Sequence, residues 1–105
     1  MSGWIGVDFD GTLSVYGRGP GADGQPIEPM MQRVRQWLDA GVEVRIVTAR
    51  AETSREREHV HAWLQRNGLP KLEVTNRKDF GMIELWDDRA VAVETNTGRV
   101  LNERR

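Results

Sequence analysis

Cysteine is absent from the 105 residues, lysine occurs only at Lys71 and Lys78, and no apolar run exceeds four residues. Without thiols there is no disulfide framework, no thiolate metal site and no cysteine nucleophile, so any chemistry must come from oxygen and nitrogen groups. Runs such as Trp4 to Val7 and Ala90 to Val93 are too short for a bilayer span or a signal-peptide core. These absences predict a cytoplasmic protein with no membrane partner. Net charge is also scarce: fifteen basic and sixteen acidic residues leave −1. The broad positive field that nonspecific nucleic-acid binding draws on is therefore missing, and no stable nucleic-acid binding is expected. What remains, 38% apolar and 30% charged residues in 105, describes a single domain spanning 1–105.

The organisation of that domain follows from its periodicity. Trp4-Ile5-Gly6-Val7 runs into Asp8-Phe9-Asp10-Gly11, a buried strand entering a turn near Asp8. Gly17, Gly19, Gly21 and Gly24, with Pro20, Pro26 and Pro29, break regular structure and predict a flap over about 14–28. Its formal GxGxxG, from Gly19 to Gly24, neither leaves a strand directly nor opens a helix, so it is read as flap rather than as a nucleotide-binding loop. Pro29 suits a helix start; Met30, Val34, Trp37 and Leu38 share one helical face until Gly41. Val42, Val44, Ile46 and Val47 predict a central strand covered on both faces.

Thr53 and Glu56 form a capping-box pattern, Val60, Trp63 and Leu64 a buried stripe, and Asn67-Gly68 a stop. Strands are expected at Leu72 to Thr75 and Met82 to Trp86, and a terminal hairpin over 90–101 around Asn96-Thr97-Gly98. Alternating strands and helices predict an α/β three-layer sandwich with a mainly parallel, Rossmann-like sheet. Only residues 76–81 join the third and fourth strands. A helical crossover takes about a dozen residues or more, so this link must be extended or a single turn.

Ligands of open parallel sheets bind beyond the carboxyl ends of the strands. Asp8 and Asp10 follow the first strand, Thr48 and Arg50 the second, Asn76 and Lys78 the third, and Asp87, Asp88 and Arg89 the fourth. If these ends converge, four carboxylates face one ammonium, a local charge of −3 before the flanking Arg50 and Arg89 are counted. Carboxylates so crowded take up protons or share a cation, and oxygen donors suit a hard divalent ion, most simply Mg²⁺. A Ca²⁺ loop fits poorly, since Gly11 falls at the fourth position and Gly19 stands at the twelfth, where glutamate is needed. Zinc fits no better, because His59 and His61, two apart on a helix, diverge and read as surface residues.

Val7-Asp8-Phe9-Asp10-Gly11-Thr12-Leu13, then Val47-Thr48-Ala49-Arg50, a lysine, and Trp86-Asp87-Asp88-Arg89 resemble the four ordered motifs of the haloacid dehalogenase superfamily of phosphohydrolases. The resemblance implies a small capless domain in which Asp8 attacks phosphorus and becomes an aspartyl-phosphate, while Asp10 serves as acid and base. It implies that the Gly11 turn brings backbone N–H groups, with Thr12 and Ala49 nearby, to the phosphoryl oxygens. Thr48 and Lys78 would bind the remaining oxygens. Asp8, the Asp10 carbonyl and Asp88 would hold Mg²⁺, with Asp87 as the alternative or supporting acid. Lys78 is preferred to Lys71 because Lys71 precedes the third strand and belongs to the opposite edge. The chain departs from the family where Val91 and Ala92 stand in place of a further acid, and in leaving no room for a cap.

The leading expectation is a Mg²⁺-dependent phosphatase acting on a phosphorylated small molecule. Two alternatives accompany it: a polynucleotide or nucleotide end phosphatase, and a receiver-like phosphate-binding module without turnover. Receiver domains carry the phosphorylated aspartate after the third strand, where this chain has Asn76. Arg50 and Arg89 either clamp a second anionic group or pair on the surface. Trp37 and Trp63 read as core, Trp86 as packing beside the acidic pair, and Glu52 to Glu58 as a solvated helix start.

Overall fold

The computed structural model describes residues 3–16 and 24–102. Four strands, β1 (Trp4–Asp8), β2 (Glu43–Val47), β3 (Glu73–Thr75) and β4 (Met82–Trp86), form one sheet in the order β3-β2-β1-β4. Every pairing is parallel. Two helices, α1 (Glu28–Asp39) and α2 (Ser54–Arg66), connect β1 to β2 and β2 to β3. The α/β class and parallel sheet expected from the alternating pattern are present, and β4 has the bounds read from the sequence.

The layering differs from expectation. Ile5, Val7 and Phe9, Val44 and Ile46, and Val74 are alternate residues of neighbouring strands, so they share one sheet face. They form a single core with Met30, Met31 and Val34 of α1 and Val60, Trp63 and Leu64 of α2. Both helices therefore pack on the same face. The reason is topological: β1 to β2 and β2 to β3 step the same way across the sheet, and two crossovers of the usual right hand put their helices on one side. Among the described residues the helices make one layer, not the two of a three-layer sandwich. The expected central strand covered on both faces is likewise corrected, since β2 alternates buried Val44 and Ile46 with partly exposed Arg45 and Val47.

The opposite face is closed differently. The step from β3 back across the sheet to β4 uses residues 76–81, which contain no helix. Asp79 on this link accepts from the indole N–H of Trp4 at 2.9 Å and from the Arg45 guanidinium at 3.4 Å. Arg45 lies over the Trp4 ring at 4.3 Å, and Trp4 is only 2% exposed. Gly6 lets this cluster close, because a Cβ there would come within 3.0 to 3.2 Å of Val47, Leu85 and Trp4. Phe80, Ile83 and Leu85 stay exposed along the β4 edge.

Local signals explain the remaining elements. Thr53 caps α2 by accepting from the Glu56 N–H at 3.2 Å; the other half of the capping box does not form, because Glu56 turns to Arg50. Gly41 and Gly68, with φ of 81° and 80°, follow the ends of α1 and α2. His61 corrects the surface reading: it is half-buried, and its Nε2 pairs with the Leu72 carbonyl at 2.9 Å, while His59 is exposed. The flap's centre, including most of its GxGxxG, lies outside the described residues. Its flanks pair, with Val15 N–H donating to Gln25 and Ile27 N–H to Leu13, and Trp63 fixes Gly24 through its indole N–H at 2.8 Å. The terminal hairpin exists as a single antiparallel bridge, Val93 with Val100, around Asn96 at φ 68°. No helix among the described residues is long and apolar enough to cross a membrane.

Candidate active site

Register brings the chemistry together. Asp8 pairs with Val47, Val47 with Thr75, and Val7 with Trp86, so the four carboxyl ends are level. The next residue of each chain, Thr48, Asn76 and Asp87, thus arrives beside Asp8. A cleft of about 510 Å³ opens there, lined by Asp8, Val47, Thr48, Ala49, Glu52, Asn76 and Asp87. Asp8, Asp87 and Asp88 each present a carboxylate oxygen within 4.8 Å of the others, bringing together acids eighty positions apart in sequence.

Thr12 ties two of these acids. Its Oγ1 lies 3.2 Å from Asp8 Oδ2 and 3.1 Å from Asp88 Oδ1, and it accepts the Asp88 backbone N–H at 3.0 Å. One hydroxyl proton serves one carboxylate at a time, so a charge conflict persists. Burial, then the hydrogen bond with Asp88 and the charges of Asp87 and Asp88, push the Asp8 carboxyl up from 3.8 to about 7. Gly11 sits at φ 88°, and a Cβ on it would lie 2.6 Å from Asp88 Oδ2. Glycine is needed there on both counts.

The turn expected at Gly11 is present, and the Gly11 N–H itself donates to the Ser14 carbonyl at 2.8 Å. Lys78 is exposed and does not line the cleft around Asp8; Asn76, two residues earlier, does. Thr48 is buried at the start of a short 3-10 helix, Ala49–Glu52, and its Oγ1 accepts the Arg50 N–H at 3.1 Å. That short helix escapes a search for 3.6-residue periodicity, and with it the sequence reading missed Glu52 as a wall of the cleft.

Arg50 is the larger surprise. Its Nε donates to Asp10 Oδ2 at 2.8 Å, its Nη2 to Asp10 Oδ1 at 3.0 Å, and its Nη1 to Glu56 Oε1 at 3.3 Å. The guanidinium also lies 5.7 Å over the Phe9 ring. Of the two expectations for Arg50, the structure shows the pairing, with Asp10 and Glu56 as its partners. Arg89 packs over Tyr16, and Asp87 Oδ1 accepts the Arg89 N–H at 2.7 Å. Trp86 packs against Trp37 at 5.2 Å, in line with its reading as a packing residue.

Comparison of the chain with protein-family models, curated proteins and solved structures gives no match, so the site is read from its own residues.

Proposed function

We propose that the chain is a Mg²⁺-dependent phosphomonoesterase of the haloacid dehalogenase type, with Asp8 as covalent nucleophile. The observation that carries this reading is the meeting of Asp8, Asp87 and Asp88 within 4.8 Å at the mouth of a cleft walled by Thr48. The donor set fits a hard divalent cation: three carboxylates and no sulfur or imidazole, with Asp8 driven toward its neutral form by burial and by the two neighbouring acids. Asp8 and Asp88, aided by Asp87, would hold Mg²⁺, and the Asp10 carbonyl completes the expected set. Bound there, the ion supplies charge neutralisation for an approaching phosphate and keeps Asp8 ionised.

In the first step an Asp8 oxygen attacks phosphorus and the bond to the ester oxygen breaks, leaving an aspartyl-phosphate. Thr48, reached from the same cleft, is the hydroxyl available to a phosphoryl oxygen. Water then attacks phosphorus, Asp10 takes its proton, and phosphate and Asp8 are released. Lys78 has the flexible side chain that this scheme gives to charge stabilisation, and it would have to swing toward the cleft on binding.

Purified protein is expected to hydrolyse an aryl phosphate in Mg²⁺ and to lose that activity with EDTA, while Asp8→Asn is inactive. Undiminished turnover by Asp8→Asn would end this reading. A polynucleotide or nucleotide end phosphatase is a second reading, favoured by a neighbouring cleft that shares Glu52 and Asn76 with the first and is also lined by Arg57 and Arg77. Faster turnover of a phosphorylated oligonucleotide than of a sugar phosphate would select it.

A further inference from the structure

We infer that Arg50 is a positioning residue that acts through Asp10, fixing the carboxyl that delivers a proton to the leaving oxygen. The inference rests on the phosphomonoesterase reading and adds a residue to which that reading gives no such role. Asp10 lies two residues beyond β1, where an isolated bridge to Ser14 holds its backbone but fixes no side-chain torsion. Its side chain is 25% exposed and would otherwise sample several rotamers. The Arg50 fork removes that freedom by binding both carboxylate oxygens, at 2.8 and 3.0 Å.

The fork is itself fixed from three sides. The Glu56 carboxylate on the first turn of α2 takes the remaining nitrogen, the Phe9 ring underlies the guanidinium, and the Arg50 N–H is bonded to Thr48 Oγ1. The Arg50 side chain is only 15% exposed. Thr48, in the wall of the cleft, and Asp10 are thus joined through one arginine. A carboxylate has four lone-pair sites; the fork uses one on each oxygen and leaves the others for a proton. In the step served, the P–O bond to the alcohol breaks with its electron pair going to the ester oxygen. That oxygen takes the Asp10 proton while the Asp8–phosphorus bond forms, and Asp10 is left as carboxylate.

Proton delivery matters in proportion to the basicity of the leaving group, which separates positioning from folding. The value of kcat/KM covers steps only through the first bond cleavage, so an alkyl phosphate and 2,4-dinitrophenyl phosphate are compared in Mg²⁺. Arg50→Ala is expected to lower kcat/KM roughly thirtyfold or more on the alkyl ester and less than about threefold on the dinitrophenyl ester. Asp10→Asn should show the same selectivity, and the double variant should lose little more than Asp10→Asn alone. Arg50→Lys keeps the charge without the fork; it should resemble Arg50→Ala, and it carries the test if the alanine variant does not fold.

Equal losses on the two esters, unchanged or raised activity on the alkyl ester, or fully additive losses in the double variant would overturn the inference while leaving the phosphatase reading in place. Wild-type protein that turns over neither ester would overturn both.

Discussion

At Asp8 the fold sets a carboxylate where burial and two neighbouring acids all oppose ionisation, and the consequence is a pH dependence of stability. With its carboxyl raised from 3.8 to about 7, the folded chain keeps a proton between those values that the unfolded chain has released. Folding then takes up protons in this window, so stability contributed at Asp8 is greatest at low pH and falls as pH rises from about 4 to 7. The full difference would be about 4 kcal/mol at 1.36 kcal/mol per tenfold. Solvent screening of a partly exposed group reduces it to roughly 1–2 kcal/mol. Urea denaturation of metal-free wild type and Asp8→Asn across pH 4 to 8 measures it: the wild type should lose stability relative to the variant as pH rises. A constant difference between the two would show that Asp8 ionises without hindrance. The paired aspartates, Gly11 and Thr12 were legible as residue types in this pattern. The fork between Arg50 and Asp10 was not, because forty positions separate the partners and only the turns after β1 and β2 bring them together.

Among the elements, α2 shows how a local signal is shared out by its surroundings. Thr53 keeps its cap, while Glu56, whose usual reciprocal bond would complete the box, is taken by Arg50. Thr53→Ala should therefore cost about 1 kcal/mol, the worth of one side-chain cap, measured as a lower urea midpoint at unchanged slope. The strands and both helices were legible because hydrophobic period and punctuation agree in them. Helix α1 starts one residue before Pro29, with Ile27 as an N-cap that offers no side-chain bond. The 3-10 segment after β2 was not legible, since four residues carry no period of their own and read as the approach to a helix.

For the whole molecule, the face that bears no helix depends on one extended link. Asp79 binds the Trp4 indole, the Gly81 N–H and Arg45, and the first of these does most to hold its carboxyl below the usual range. Removing the acceptor leaves the N–H of a buried tryptophan unpaired. Asp79→Ala should lower the thermal midpoint, whereas any stabilisation by Mg²⁺ that the proposed function predicts for the wild type should persist in the variant, because Asp79 lies outside the acidic cluster. Loss of the Mg²⁺ response in that variant would mean that the open face and the acidic cleft are mechanically coupled. That residues 76–81 are too few for a helical crossover is legible in the sequence. The face each helix takes is not, because the direction of each step across a sheet is not written in any local pattern.

Element types, their order and the arrival of polar groups after each apolar run were determined by the sequence alone, since periodicity, turn residues and chain direction are local or linear properties. Strand order, the single helical layer, the position of Lys78 outside the cleft, and the capture of Asp10 by Arg50 were decided only by the tertiary structure. Each depends on which neighbour a group meets first once the chain is closed, and a buried or half-buried polar group takes the partner within reach.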